Sequence, residues 1–144
     1  MRKDDHGLYL KVISRHNRGN FSGYDFSDYL PRRGKAGPWL PATDKVVLCC
    51  IGYHVTSREY LYNWWNWSGA NLWIVQVRGN HTLNYRYADK IAFTEMRFIC
   101  KAKTSKYSDA DTVEMNGAIA KARKKAFRIL RKERNAEMQQ NGPE

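Results

Sequence analysis

The chain has 144 residues, enough for one domain with a real core and little more. Its formal charge is +11, which favours polyanionic partners such as nucleic acid, an anionic membrane or an acidic protein surface. An aromatic content of 13% argues against a disordered basic tail, and three cysteines, an odd number with two adjacent, do not make a disulfide framework.

The N-terminus opens charged, Met1-Arg2-Lys3-Asp4-Asp5-His6, without the apolar run of a secretory signal. No stretch approaches the roughly 18 apolar residues that a membrane span needs. A reducing cytoplasm, that of a host cell on the reading below, is the expected compartment.

Residues 8–14 read as a short strand with Leu8, Leu10 and Val12 on one face. Residues 15–44 carry no period and are punctuated by Gly19, Gly23, Pro31, Gly34, Gly37, Pro38 and Pro41, so a long loop is expected. That loop mixes Arg15, Arg18, Arg32, Arg33 and Lys35 with Phe21, Tyr24, Phe26, Tyr29 and Trp39. Tyr24, Tyr29 and Trp39 here, with Tyr85 and Tyr87 further on, sit near arginines and could stack on bases of a single strand. Folding back to cover the core is the better reading for most of them, because aromatic side chains bury large areas.

Residues 45–51 form a continuous apolar run, read as one buried strand. Thr56-Ser57-Arg58-Glu59 is a capping box, and it predicts a helix over about 57–67 that Ser68-Gly69 would stop. Strands are expected at 71–78 and 91–100, with a projecting segment from Asn80 to Lys90. On the second of these, Ala92, Thr94, Met96, Phe98 and Cys100 should share one face, and Ile91, Phe93, Glu95, Arg97 and Ile99 the other. Both faces are partly apolar, so this strand should be central.

A final helix over 113–136 follows from Met115, Ile119, Ala122, Ala126 and Ile129 or Leu130, which repeat at threes and fours. Fraying is expected after about Ala136. Its other faces hold Lys121, Arg123, Lys124, Lys125, Arg128, Arg131, Lys132 and Arg134, against the single acid Glu133. Like charges at i,i+4 repel by a few tenths of a kcal/mol per pair, a cost that a mixed lysine–glutamate face would avoid. The eight cations are therefore the candidate nucleic-acid-binding residues, tracking phosphates by displacing counterions. An acidic protein surface would satisfy the same pattern.

Two further groupings carry potential site chemistry. Adjacent Cys49 and Cys50 on a strand point to opposite faces, so with His54 and Cys100 they make a poor zinc site, and small buried thiols are the better reading. His54, Thr56, Lys90 and Glu95 could outline a polar cleft near a strand-to-helix turn, although a histidine there more often fixes the local backbone. No phosphate loop or nucleophile elbow is present, and no cofactor or metal is expected.

The motifs Cys49-x-x-Gly52-x-His54, Trp73-x-Val75-x-Val77-x-Gly79 and Asp89-Lys90-x-Ala92, with Leu61 between them, resemble a phage-associated family of unknown function. The resemblance covers about residues 45–99 and implies a phage or mobile-element origin and a small α+β domain. It carries no catalytic residue. The tryptophans after the cap and the basic last helix depart from the family pattern. A second likeness is to the ADP-ribosyltransferase fold, through the order of Gly52-Tyr53-His54-Val55-Thr56-Ser57, a helix and a Val-x-Val strand; it implies a glutamate near a nicotinamide ribose, for which Glu95 is the strand candidate.

The expected architecture is thus one α+β domain over residues 1–138, with a disordered tail at 139–144. A small antiparallel or mixed sheet is packed by a short capped helix and a long basic C-terminal helix. The expected function is a phage-type accessory protein that binds DNA or RNA through that helix. An inhibitor docking an acidic host protein and an ADP-ribosyltransferase-like enzyme are the alternatives.

Overall fold

The structure is a computed structural model that describes residues 7–18, 24–40, 46–47, 50–51, 53–56, 71–83, 90–103 and 112–141. The chain is α+β. Among the described residues are six strands, β1 (Leu8–Ile13), β2 (Val46–Val47), β3 (Cys50–Ile51), β4 (Tyr53–Thr56), β5 (Asn71–Leu83) and β6 (Lys90–Ala102), followed by one long helix, α1 (Thr112–Asn141). A single 3-10 turn, Ser27–Tyr29, interrupts the loop after β1. The capped helix expected over 57–67 lies outside the described residues.

β5 and β6 form the central antiparallel hairpin, and β1 pairs antiparallel along the outer edge of β5 from Leu8↔Gln76 to Ile13↔Asn71. β4 pairs with the first part of β6, from Thr56↔Lys90 to Tyr53↔Phe93. One bridge, Leu10↔Thr56, joins β1 to β4 and closes the four strands into a ring. β6 therefore has a neighbour on each side, as a strand apolar on both faces requires.

Where β4 ends, the loop takes over its edge. Gly37 N–H donates to the Phe98 carbonyl and Leu40 N–H to the Met96 carbonyl, both at 2.8 Å. Residues 37–40 thus occupy the edge of β6 that β4 leaves uncovered, which satisfies backbone groups that would otherwise template pairing with another chain.

Three local expectations are corrected. The run 45–51 is not one strand: β2 and β3 pair with each other, Val46↔Ile51 and Val47↔Cys50, so the apolar run folds back on itself. The strand expected to end at Arg78 continues to Leu83. Gly79, which closes the Trp73-x-Val75-x-Val77-x-Gly79 motif, has φ +86° and lies in a bulge where Gly79 and Asn80 oppose Thr94 alone. A Cβ at Gly79 would run into Thr94 Oγ1.

The faces of β6 also depart from strict alternation. Register jumps from Val75↔Phe98 to Ile74↔Cys100, which leaves Ile99 as an extra residue. The bulge breaks the two-residue alternation. Met96 and Phe98 join Phe93 in one core cluster, whereas Cys100 and Ala102 join Ile99 in the other.

The two clusters lie on opposite sides of the sheet. One packs Leu8, Leu10, Leu72, Ile74, Ile99, Cys100 and Ala102 against Ile119, Ala122, Ala126 and Ile129 of α1. The helical stripe read from the sequence is therefore the buried face, with Leu130 half-buried beside it. The other cluster packs Tyr9, Ile13, Trp73, Val75, Val77, Phe93, Met96 and Phe98 beneath Phe26 and Leu40 of the loop, with Tyr29 and Leu30 against it. Phe26 meets Phe98 edge-on at 5.2 Å between ring centroids. The loop rings of the described residues thus mostly cover the core, and Tyr24 stands out at 42% exposure. The helix runs to Asn141, beyond Ala136, the point from which the sequence predicts fraying.

Candidate nucleic-acid interface

The site begins with how α1 is seated. Ala118, Ala122 and Ala126 recur every four residues and are buried. Their small side chains let the helix backbone approach the sheet, so closely that the Cys100 thiol donates to the Ala122 carbonyl at 3.1 Å. Burial pushes that thiol up to about 11, and Lys125 nearby opposes the shift. Cys100 is thus a packed, protonated thiol at neutral pH.

The seating is locked at the far end by Arg97 on β6. This side chain is nearly buried, and its guanidinium makes two bonds to Glu133 of α1, Nη1 to Oε2 at 2.9 Å and Nη2 to Oε1 at 2.8 Å. Its Nε donates to Gln76 Oε1 at 2.8 Å, and its plane lies 4.8 Å from the Trp39 ring centroid. Arg78 stacks on the same indole at 3.8 Å and pairs with Glu95 at 3.2 Å. A fork-shaped cation with a carboxylate, an amide and an indole around it is well matched to arginine.

This lock changes the charge balance of the helix. Glu133 is the one acid between residues 121 and 134, and it is spent on Arg97. Lys121, Lys124, Lys125, Arg128, Arg131, Lys132 and Arg134 are exposed, and Arg123 is half-buried with a partner of its own. None of the first six has an ion-pair partner among the described residues. At 3.6 residues per turn these six fall within an arc of about 120°, whereas Arg123 and Arg134 lie on the other flank. From Lys121 to Lys132 the stripe is about 16 Å long. An equal length of DNA duplex carries about nine phosphate charges.

The loop adds cations that the helix periodicity could not reveal. Lys35 N–H donates to the Arg32 carbonyl at 3.1 Å, closing a turn whose central residues Arg33 and Gly34 both have positive φ, +50° and +73°. Positive φ at both central positions is the requirement of a type I′ turn. Arg32, Arg33 and Lys35 are exposed on it. Pro31, Gly34 and Lys35 line one hollow together with Lys101 of β6 and Lys125 of α1. A second, shallow hollow of about 430 Å³ has Lys103 on the sheet side and Lys121 and Lys124 on the helix side. The sequence signal for this junction was present as Arg32-Arg33-Gly34-Lys35. Nothing local, however, tied it to residues 90 positions further on.

The cleft residues are placed separately. His54 lies within β4 opposite Ala92, and Thr56 ends that strand opposite Lys90, so these three share one ladder. Glu95 lies beyond the end of that ladder, opposite Arg78, which holds its carboxylate. Among the described residues no three His, Cys, Asp or Glu side chains converge as a metal site would require. No described helix is long and apolar enough to cross a membrane. Comparison with protein-family models, curated proteins and solved structures gives no match for this chain.

Proposed function

We propose that this protein binds nucleic acid through the exposed cationic stripe of α1, as an accessory protein of the phage-linked kind that residues 45–99 resemble. The observation that carries the reading is the combination of six exposed, unpaired cations on one arc with the diversion of Glu133 to Arg97. A mixed lysine–glutamate face would relieve the i,i+4 repulsion. Here the acid is turned inward and the cations are left outward. Lys101, Lys103, Arg32, Arg33 and Lys35 widen the same basic surface from the sheet and the loop.

The mechanism is electrostatic. Ammonium and guanidinium groups neutralise phosphates and release condensed counterions, so affinity falls steeply with salt. The test is fluorescence anisotropy with short single- and double-stranded DNA and RNA. Six phosphate contacts should cost about a thousandfold in affinity between 50 and 200 mM salt. Reversing Lys124, Lys125, Arg128 and Arg131 to glutamate should abolish binding while circular dichroism stays unchanged, since all four are exposed. A folded quadruple variant with unaltered affinity would sink the reading. No binding at low salt would also end it, and would turn the stripe toward an acidic host protein instead.

A further inference from the structure

The buried face of α1 ends before the helix does. Ile119, Ala122, Ala126 and Ile129 are buried against the sheet, and Glu133 is half-buried on Arg97. Glu137 and Gln140 continue the same line, since at about 100° per residue they fall within the arc that those residues span. Both are exposed, as is every residue from 134 to 140. About two turns of helix, roughly 10 Å, therefore project past the sheet.

These turns carry the cationic arc onward with a different chemistry. Asn135 and Gln139 fall inside the arc of the six cations and close to its midline, on which Arg128 also lies. Lys124 and Arg131 fall along one margin of the arc, and Lys125 and Lys132 along the other. Glu137, the one acid of the projecting turns, lies on the opposite side of the helix. Neither amide side chain has a hydrogen-bond partner among the described residues. Met138, three residues on from Asn135, is 63% exposed.

A midline of amides between two margins of cations matches the major groove of B-form DNA. A helix lying there turns its midline to the base edges and each margin to one phosphate strand. The groove is about 12 Å wide and admits a helix of about 10–12 Å, whereas the corresponding groove of duplex RNA is too narrow. Asparagine and glutamine pair with N6 and N7 of adenine, and an apolar side chain suits the thymine methyl. A single strand calls instead for exposed flat rings, and the described loop rings mostly cover the core. Building on the helix reading above, we infer that the projecting end of α1 enters the major groove of duplex DNA. Asn135 and Gln139 read adenine there, Met138 meets thymine methyls, and the cations of the two margins hold the phosphates.

The test uses the full chain to select from a pool of duplex DNA of random sequence. A short sequence containing A·T pairs should be enriched. Asn135→Ala combined with Gln139→Ala should weaken binding to that duplex about tenfold or more, the scale of one bidentate base contact. Affinity for a scrambled duplex and the salt slope should stay unchanged, because neither amide carries charge. Both residues are exposed and alanine favours helix, so circular dichroism should not change. Replacing the adenines of the selected duplex by 7-deazaadenine removes the N7 acceptor and should cost the wild type a similar factor and the double variant nothing. Salt-sensitive binding without any enriched sequence would overturn base reading and leave the helix reading standing. An enriched sequence that the double variant still prefers would also overturn it, as would tighter binding to single strands or duplex RNA. No binding to any polynucleotide would overturn both readings.

Discussion

Arg33 is held at φ +50°, a conformation that costs an L-residue with a side chain roughly 1–2 kcal/mol. Glycine would take the same turn without that cost but would enlarge the conformational freedom of the unfolded chain, which offsets about half of the gain. Arg33→Gly should therefore raise the unfolding free energy by about 0.5–1 kcal/mol in urea titrations. Strain that persists on an exposed turn is consistent with a use for the side chain. The same variant should bind polyanions less tightly, with a salt slope shallower by about one. Arg33→Lys keeps the charge and should keep the slope. A destabilised Arg33→Gly would mean that the guanidinium makes a stabilising contact that outweighs the turn. Gly37 shows the opposite case, a position where no side chain fits: a Cβ there would sit 2.5 Å from the Tyr29 carbonyl oxygen and 3.1 Å from that of Phe98.

At the scale of elements, three pieces distant in sequence meet at Arg97: the loop through Trp39, the sheet through Gln76 and the helix through Glu133. The two partners of the ion pair are not equivalent, since the Arg97 side chain is 10% exposed and that of Glu133 is 35%. Removing Glu133 leaves a buried cation that cannot reach water, a change that costs about 3 kcal/mol in comparable pairs. Removing Arg97 leaves a carboxylate that can turn to solvent. Glu133→Gln should therefore destabilise more than Arg97→Met, as read from urea midpoints at equal m-values. The reverse order would place the main worth of Arg97 in its stacking on Trp39. Glu133 was visible in the sequence as the one acid in a basic run, but a charge count treats it as a small subtraction. Its partner is 36 residues away, and only the packing of α1 on β6 brings the two together.

The same limit explains what the sequence made legible elsewhere. The buried stripe of α1 and the strands at 8–13 and 71–78 follow from periodicity, which is local. The fold-back of 45–51 carries no glycine or asparagine to mark it, and the bulge at Ile99 is set by register against β5, so neither has a local signature. Of the candidate interface, the six cations on one arc of the helix could be named from the sequence, together with Arg123 and Arg134, which the structure places on the other flank. Their union with Lys35, Lys101 and Lys103 could not, because the turn, the strand end and the helix are joined only by the tertiary fold.

At the scale of the whole molecule, the charge of +11 is distributed by the architecture. The turn at the edge of β6 reaches round to α1, so Lys35 of the turn and Lys101 of the strand end line one hollow with Lys125 of the helix. Lys11 belongs to the side of the sheet opposite α1, where its ammonium lies 5.5 Å from the Phe26 ring centroid. Counterion release counts only the charges that reach phosphate, and the slope of log affinity against log salt is about −0.9 per contact on duplex DNA. If helix, turn and strand end form one surface, neutralising Arg32 and Lys35 to glutamine should flatten the slope by up to about two, and neutralising Lys124 and Arg128 should do the same. The two pairs together should flatten it by up to about four, because each phosphate contact releases its own counterions. Lys11→Gln should leave the slope unchanged although it alters net charge just as much as any one of them. A response that follows total charge, with Lys11 counting equally, would make the attraction a property of the protein's overall field. A response confined to the helix positions would restrict the surface to α1 and detach the turn from it.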